Sequence, residues 1–89
     1  MPIVEAFQLA GCRCWFYSDD HRPAHFHASS PGEWEARVYF LLEPPQVEVV
    51  LELKRLPGRM RRALLSMAKE YRAELLEEWS KKVHQGGEE

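Results

Sequence analysis

The chain has 89 residues, 45% of them hydrophobic, with a formal net charge of −2. That length leaves no room for two ordinary domains, and the near-balanced charge excludes a bulk attraction to nucleic acid or to acidic partners, so local patches must carry any such affinity. Two cysteines make no disulfide framework, Met1 to Glu5 lack the basic segment of a secretory leader, and no apolar run approaches the roughly 20 residues of a membrane span. The expectation is a cytoplasmic protein with no membrane partner.

In chain order, residues 3–9 are mostly apolar with β-branched residues at the start, and predict a first strand. Gly11 marks a turn. Arg13 to Tyr17, dense in aromatics, predicts a second strand, and Ser18 to Ala24, holding Asp19, Asp20 and Pro23, a loop. His25 to Ser29 predicts a short third strand, Ser30-Pro31-Gly32 a turn, and Trp34 to Leu42 a fourth strand ended by Pro44-Pro45. Val47 to Leu53 alternates, with Val47, Val49, Leu51 and Leu53 on one side, as a half-buried strand does. From Pro57 to about His84 the residues Met60, Leu64, Met67, Tyr71, Leu75, Trp79 and Val83 recur every three or four positions, which is one helical stripe. Such a helix of 28 residues would run ~42 Å and would overhang a domain of this size or fray near Lys82. The expected fold is α+β: a small antiparallel sheet of four to five strands with one long C-terminal helix packed on one face. Residues 1–85 are expected to form a single domain, followed by a disordered tail at 86–89.

One helix covers one face of a sheet, so the period of two assigns side chains to sides. Trp34, Ala36, Val38 and Phe40, with Phe26, Ala28, Cys12, Cys14 and Phe16, are assigned to the helix side. Arg13, Trp15, Tyr17, His25, His27, Glu35, Arg37 and Tyr39 then gather on the other. Of these, Arg13, Trp15, Tyr17 and Arg37 suit a platform for stacking and charge, as exposed aromatics do on RNA-binding sheets.

Three of the four histidines fall within seven residues, in Asp19-Asp20-His21-Arg22-Pro23-Ala24-His25-Phe26-His27-Ala28. Imidazoles with Asp20 or Glu35 nearby can bind a divalent transition metal, although the spacing of His21, His25 and His27 matches no standard zinc signature. Histidine also titrates near neutral pH and suits general acid–base work. The plainer alternative is that the imidazoles hydrogen-bond the loop and pin it to the sheet. The stretch resembles the aspartate-histidine-x-proline-proline-histidine-phenylalanine-histidine-alanine signature of the bacterial family called domain of unknown function 4160. Met1-Pro2, Phe16-Tyr17, Gly32 to Ala36, Leu56-Pro57 and Leu75 to Trp79 extend the resemblance over nearly the whole chain. Ala24 stands where the family usually has a second proline, Tyr71 where one branch has a helix histidine, and Glu43 to Leu53 is richer in valine and proline. Members are often small genes beside another small gene, so the resemblance implies a toxin–antitoxin-like partnership.

Lys54, Arg55, Arg59, Arg61 and Arg62 crowd the predicted helix start. A helix N-terminus prefers acids by ~0.3–1 kcal/mol per charge, so the placement is unfavourable unless it serves an anion or is neutralised by Glu43, Glu48 or Glu52. The first functional expectation is a small interaction or regulatory module for a partner protein or nucleic acid, with a homodimer through an edge strand as a further arrangement. The alternative is a histidine- or metal-dependent phosphodiesterase or ribonuclease, with His21, His25 and His27 as ligands or as acid and base.

Overall fold

A computed structural model describes residues 2–83; the expected tail at 86–89, with His84, lies outside the described residues. Four strands, β1 (Arg13–Trp15), β2 (Phe26–Ser30), β3 (Trp34–Tyr39) and β4 (Gln46–Glu52), precede two helices, α1 (Gly58–Glu70) and α2 (Arg72–Lys82). The sheet is a fully antiparallel meander in the order β1-β2-β3-β4. This is an α+β fold with the helices after the sheet.

The core follows the alternation. Phe16, Phe26, Ala28, Ala36, Val38 and Phe40 are buried on one side of the sheet, and Leu64, Ala68, Leu75, Trp79 and Val83 meet them from the helices, with Met60, Met67 and Tyr71 partly buried at the margin. Phe26 stacks near Phe40 with ring centroids 6.3 Å apart, and Trp79 meets Phe16 edge-on at 6.3 Å.

Three expectations need correction. The stretch 3–9 is not a strand: Ile3 makes one isolated bridge to Trp15, and the chain then leaves the sheet. The reason is competition for its donors. The backbone N–H groups of Glu5 and Ala6 donate to the Glu78 carboxylate at 2.9 and 2.6 Å, while Lys82 donates to the Ile3 carbonyl, so α2 holds this segment in place of a strand partner.

The helix is not continuous. Tyr71 leaves helical geometry at φ −105° and ψ 25°, splitting the stripe into α1 and α2. Beyond the break, Leu75, Trp79 and Val83 are still packed in the core.

The alternation of β4 also breaks. Glu35 pairs with Leu51 but Ala36 pairs with Val49, so Val50 is an extra, bulged residue. Val47 and Val49 keep to the helix side, but Leu51 turns to the opposite face and Glu52 takes the helix side opposite Trp34. Val50, Leu51 and Leu53 are left 43%, 50% and 68% exposed.

Candidate functional site

The sheet face away from the helices is not a bare platform. Trp15, His27 and Arg37 align across β1, β2 and β3 in direct register. The loop from Tyr17 to His25 folds back over the first two of them. Asp20 shapes this loop: its carboxylate accepts the Tyr17 N–H at 3.0 Å and its own N–H donates to the Tyr17 carbonyl. The same carboxylate reaches His27, whose Nε2 lies 3.0 Å from both oxygens. Trp15 stacks on the His27 ring at 5.5 Å and Tyr17 meets it edge-on at 4.6 Å.

His25 sits one residue before β2. Its Nδ1 donates to the Pro23 carbonyl at 2.8 Å, its Nε2 lies 3.5 Å from Asp20 Oδ1, and its ring packs against His27, Tyr39 and Trp79. Burial holds the His25 imidazole below the usual histidine range, against the opposing pull of the Pro23 carbonyl and the Asp20 carboxylate. Among the described residues two buried nitrogens, Trp15 Nε1 and His27 Nδ1, have no hydrogen-bond partner.

The platform of Arg13, Trp15, Tyr17 and Arg37 is therefore corrected. Trp15 is 7% exposed and its face is taken by His27, so it offers no stacking surface, while Arg13, Tyr17 and Arg37 remain exposed. Alternation alone assigned the right side of the sheet but could not show that the loop closes over it. Among the candidate ligands, Asp20, His25 and His27 come together, their ligand atoms all within 4.8 Å of one another. Glu35 shares their side of the sheet but lies opposite Ser29, outside the cluster. His21 is exposed and lines, with Asp20, His25, Arg37 and Tyr39, a small open pocket of about 210 Å³. Tyr39 was not among the candidates of the sequence. Its hydroxyl donates to Glu48 at 2.8 Å, and Glu48 also sits 3.6 Å from Arg37. Only its place in the period of two, beside Arg37 and opposite the core, signals that position.

Cys12 and Cys14 are half-buried free thiols with Sγ atoms 3.7 Å apart. The hydrogen bond with Cys12 and burial push the Cys14 thiol up.

At the other end of the sheet, Lys54, Arg55, Arg59, Arg61 and Arg62 are all exposed around the start of α1. Their expected counter-ions are engaged elsewhere: Glu43 with Arg72, Glu48 with Arg37 and Tyr39, and Glu52 with the Leu56 N–H. Among the described residues, none of the five has an ion pair. No acid and no side-chain cap sits in the first turn of α1. Arg55 and Arg61 line an open groove with Val49, Glu52, Leu56 and Gly58, between the helix side of β4 and the start of α1.

The fold and site together are those of a small α+β domain with a buried aspartate–histidine cluster. The profile of the domain of unknown function DUF4160 matches residues 11–80, and the chain belongs to that family. No curated protein and no solved structure matches it significantly. Among the described residues no helix is long and apolar enough to cross a membrane.

Proposed function

We propose that the protein is an interaction module that takes an extended, acidic segment of a partner protein along the outer edge of β4. The observation that carries this reading is the coincidence of three features at one place. Among the described residues no strand pairs with the outer edge of β4. Val50, Leu51 and Leu53 are exposed there, and at the adjoining start of α1 lie five exposed cations that make no ion pair among the described residues. An open edge offers backbone hydrogen bonds to an added strand, whose alternate side chains fall on opposite faces. One set would meet Leu51, and the other would point into the groove toward Arg55 and Arg61. The partner segment is thus an alternation of apolar and acidic residues. A cytoplasmic, toxin–antitoxin-like pairing would supply such a segment.

The test is a titration with an alternating valine–glutamate peptide, read by fluorescence anisotropy. Binding should weaken with salt and be lost in an R55Q/R61Q variant and in V50P, which blocks the edge. Binding of single-stranded RNA but not the peptide, or a dimer through β4 that excludes the peptide, overturns the reading.

A second reading, a metal-dependent phosphodiesterase or ribonuclease, is favoured by one observation: Asp20 and His25 line a pocket that also carries Arg37. Chelator-sensitive cleavage of a phosphodiester by purified protein tests it, and no cleavage with Zn²⁺ or Mn²⁺ present overturns it.

A further inference from the structure

The Asp20, His25 and His27 cluster has more acceptors than protons. The Pro23 carbonyl accepts from His25 Nδ1, so in the neutral ring that nitrogen carries the proton and Nε2 presents a lone pair. That lone pair faces Asp20 Oδ1 at 3.5 Å, acceptor against acceptor. His27 Nε2 supplies one proton, shared between both Asp20 oxygens at 3.0 Å. The side chains are 7%, 6% and 10% exposed for His25, His27 and Asp20, so water does little to relieve the contact.

A cation relieves it directly. We propose that Asp20, His25 and His27 bind one divalent first-row transition ion through a carboxylate oxygen and the two Nε2 atoms, leaving the remaining coordination positions open to the pocket lined by His21, Arg37 and Tyr39. The spacing suits this. Ligands ~2.0–2.1 Å from a tetrahedral ion stand about 3.3–3.4 Å apart. The separations of Asp20 Oδ1 from the two Nε2 atoms, 3.0 and 3.5 Å, bracket that value, and one ligand atom of each residue lies within 4.8 Å of the others. The Pro23 carbonyl fixes the His25 ring with Nε2 aimed inward, as outer-shell acceptors do for metal-bound imidazoles. Binding moves the His27 proton from Nε2 to Nδ1, which among the described residues has no hydrogen-bond partner in either tautomer, so the number of unpartnered atoms does not rise. Two imidazoles and one carboxylate favour Zn²⁺, Fe²⁺ or Co²⁺ over Mg²⁺ or Ca²⁺. The inference is independent of the β4 edge. It would supply the second reading with its ion, and the test below reads binding and not hydrolysis, so the two can fail separately.

The experiment titrates Co²⁺ into chelator-stripped protein carrying no histidine tag, follows visible absorption, and competes with Zn²⁺. One equivalent should give cobalt d–d bands without a near-ultraviolet thiolate band. Asp20→Asn and His25→Ala should each weaken binding at least ~10-fold, whereas a Cys12→Ser/Cys14→Ser double variant and His84→Ala should bind as the parent does. In case a variant does not fold, ring-nitrogen NMR of the unaltered protein gives an independent readout: Zn²⁺ should shift Nε2 of His25 and His27. No saturable binding below about 1 mM, a thiolate band, undiminished affinity in folded Asp20→Asn, or unmoved ring signals each overturn the proposal.

Discussion

The two ends of the sheet treat their charges in opposite ways. At the β1–β2 end a carboxylate and two imidazoles are folded under a loop and hydrogen-bonded to one another and to backbone. At the β4–α1 end three large apolar side chains are exposed, with five exposed cations that make no ion pair among the described residues. Buried polar groups with partners are costly to disturb but easily structural; exposed groups without partners cost little to change and have no reason of stability to be there. The closed end is thus where mutation should damage the fold, and the open end where it should damage binding.

The largest expected effect tests whether the two ends share one cooperative unit. Leu64 is fully buried in the core between them, and Leu64→Ala should cost ~2–5 kcal/mol. Chemical denaturation followed at Trp15 and at a probe on Leu53 should show coincident transitions; separate midpoints would break the comparison into two independent regions.

Next comes the closed end itself. Asp20→Ala leaves the His27 Nε2–H and the Tyr17 N–H without their acceptor and should cost about 1–3 kcal/mol. A loss under half a kilocalorie would mean the loop is not fastened by this carboxylate.

Acidification should act at the same end. Because the folded state holds His25 below its unfolded pKa of ~6.5, the unfolded chain binds the extra proton first. The His25 contribution is complete above that value and is lost as pH falls below it. Denaturation midpoints from pH 8 to 5 should decline more steeply in the parent than in His25→Gln; parallel curves would remove His25 as the cause.

The smallest effect is expected at the open end. Arg59→Gln/Arg61→Gln/Arg62→Gln removes cations from a helix start that repels them, so the melting temperature should hold or rise slightly. A clear drop would show that these arginines stabilise the fold through contacts of their own.

Much of this contrast was readable in the sequence because it rests on period. Alternation at Trp34, Ala36, Val38 and Phe40 and the three-to-four spacing from Leu64 to Val83 report which side of a regular element faces apolar surroundings, and the buried core repeats both. What period cannot report is an event that interrupts it. The bulge at Val50 inserts one residue and turns Leu51 outward, and the apolar run Val49-Val50-Leu51 does not say which of its members faces the core. Tyr71 breaks the helix without proline or glycine. The closure of Asp20 over His27 depends on the path of a loop, which has no period at all. The Asp20, His25 and His27 grouping was half legible: the motif announced the histidines, but Glu35 and His21 were equally plausible companions until distances separated them.

The Glu78 carboxylate that accepts the N–H groups of Glu5 and Ala6 sets an order of events during synthesis. The two partners are 73 and 72 residues apart, so the first segment of the chain leaves the ribosome long before its acceptor exists. Until α2 has emerged, the flank of β1 has only the single bridge at Ile3 to occupy it, and the exposed strand edges of the nascent sheet have to wait. Contacts this distant in sequence also slow closure in a full-length chain released into solution. A product ending before residue 78 would therefore keep only the Ile3 bridge on the flank of β1, and its aggregation, compared with that of the 89-residue chain, should reveal how much protection α2 confers on β1.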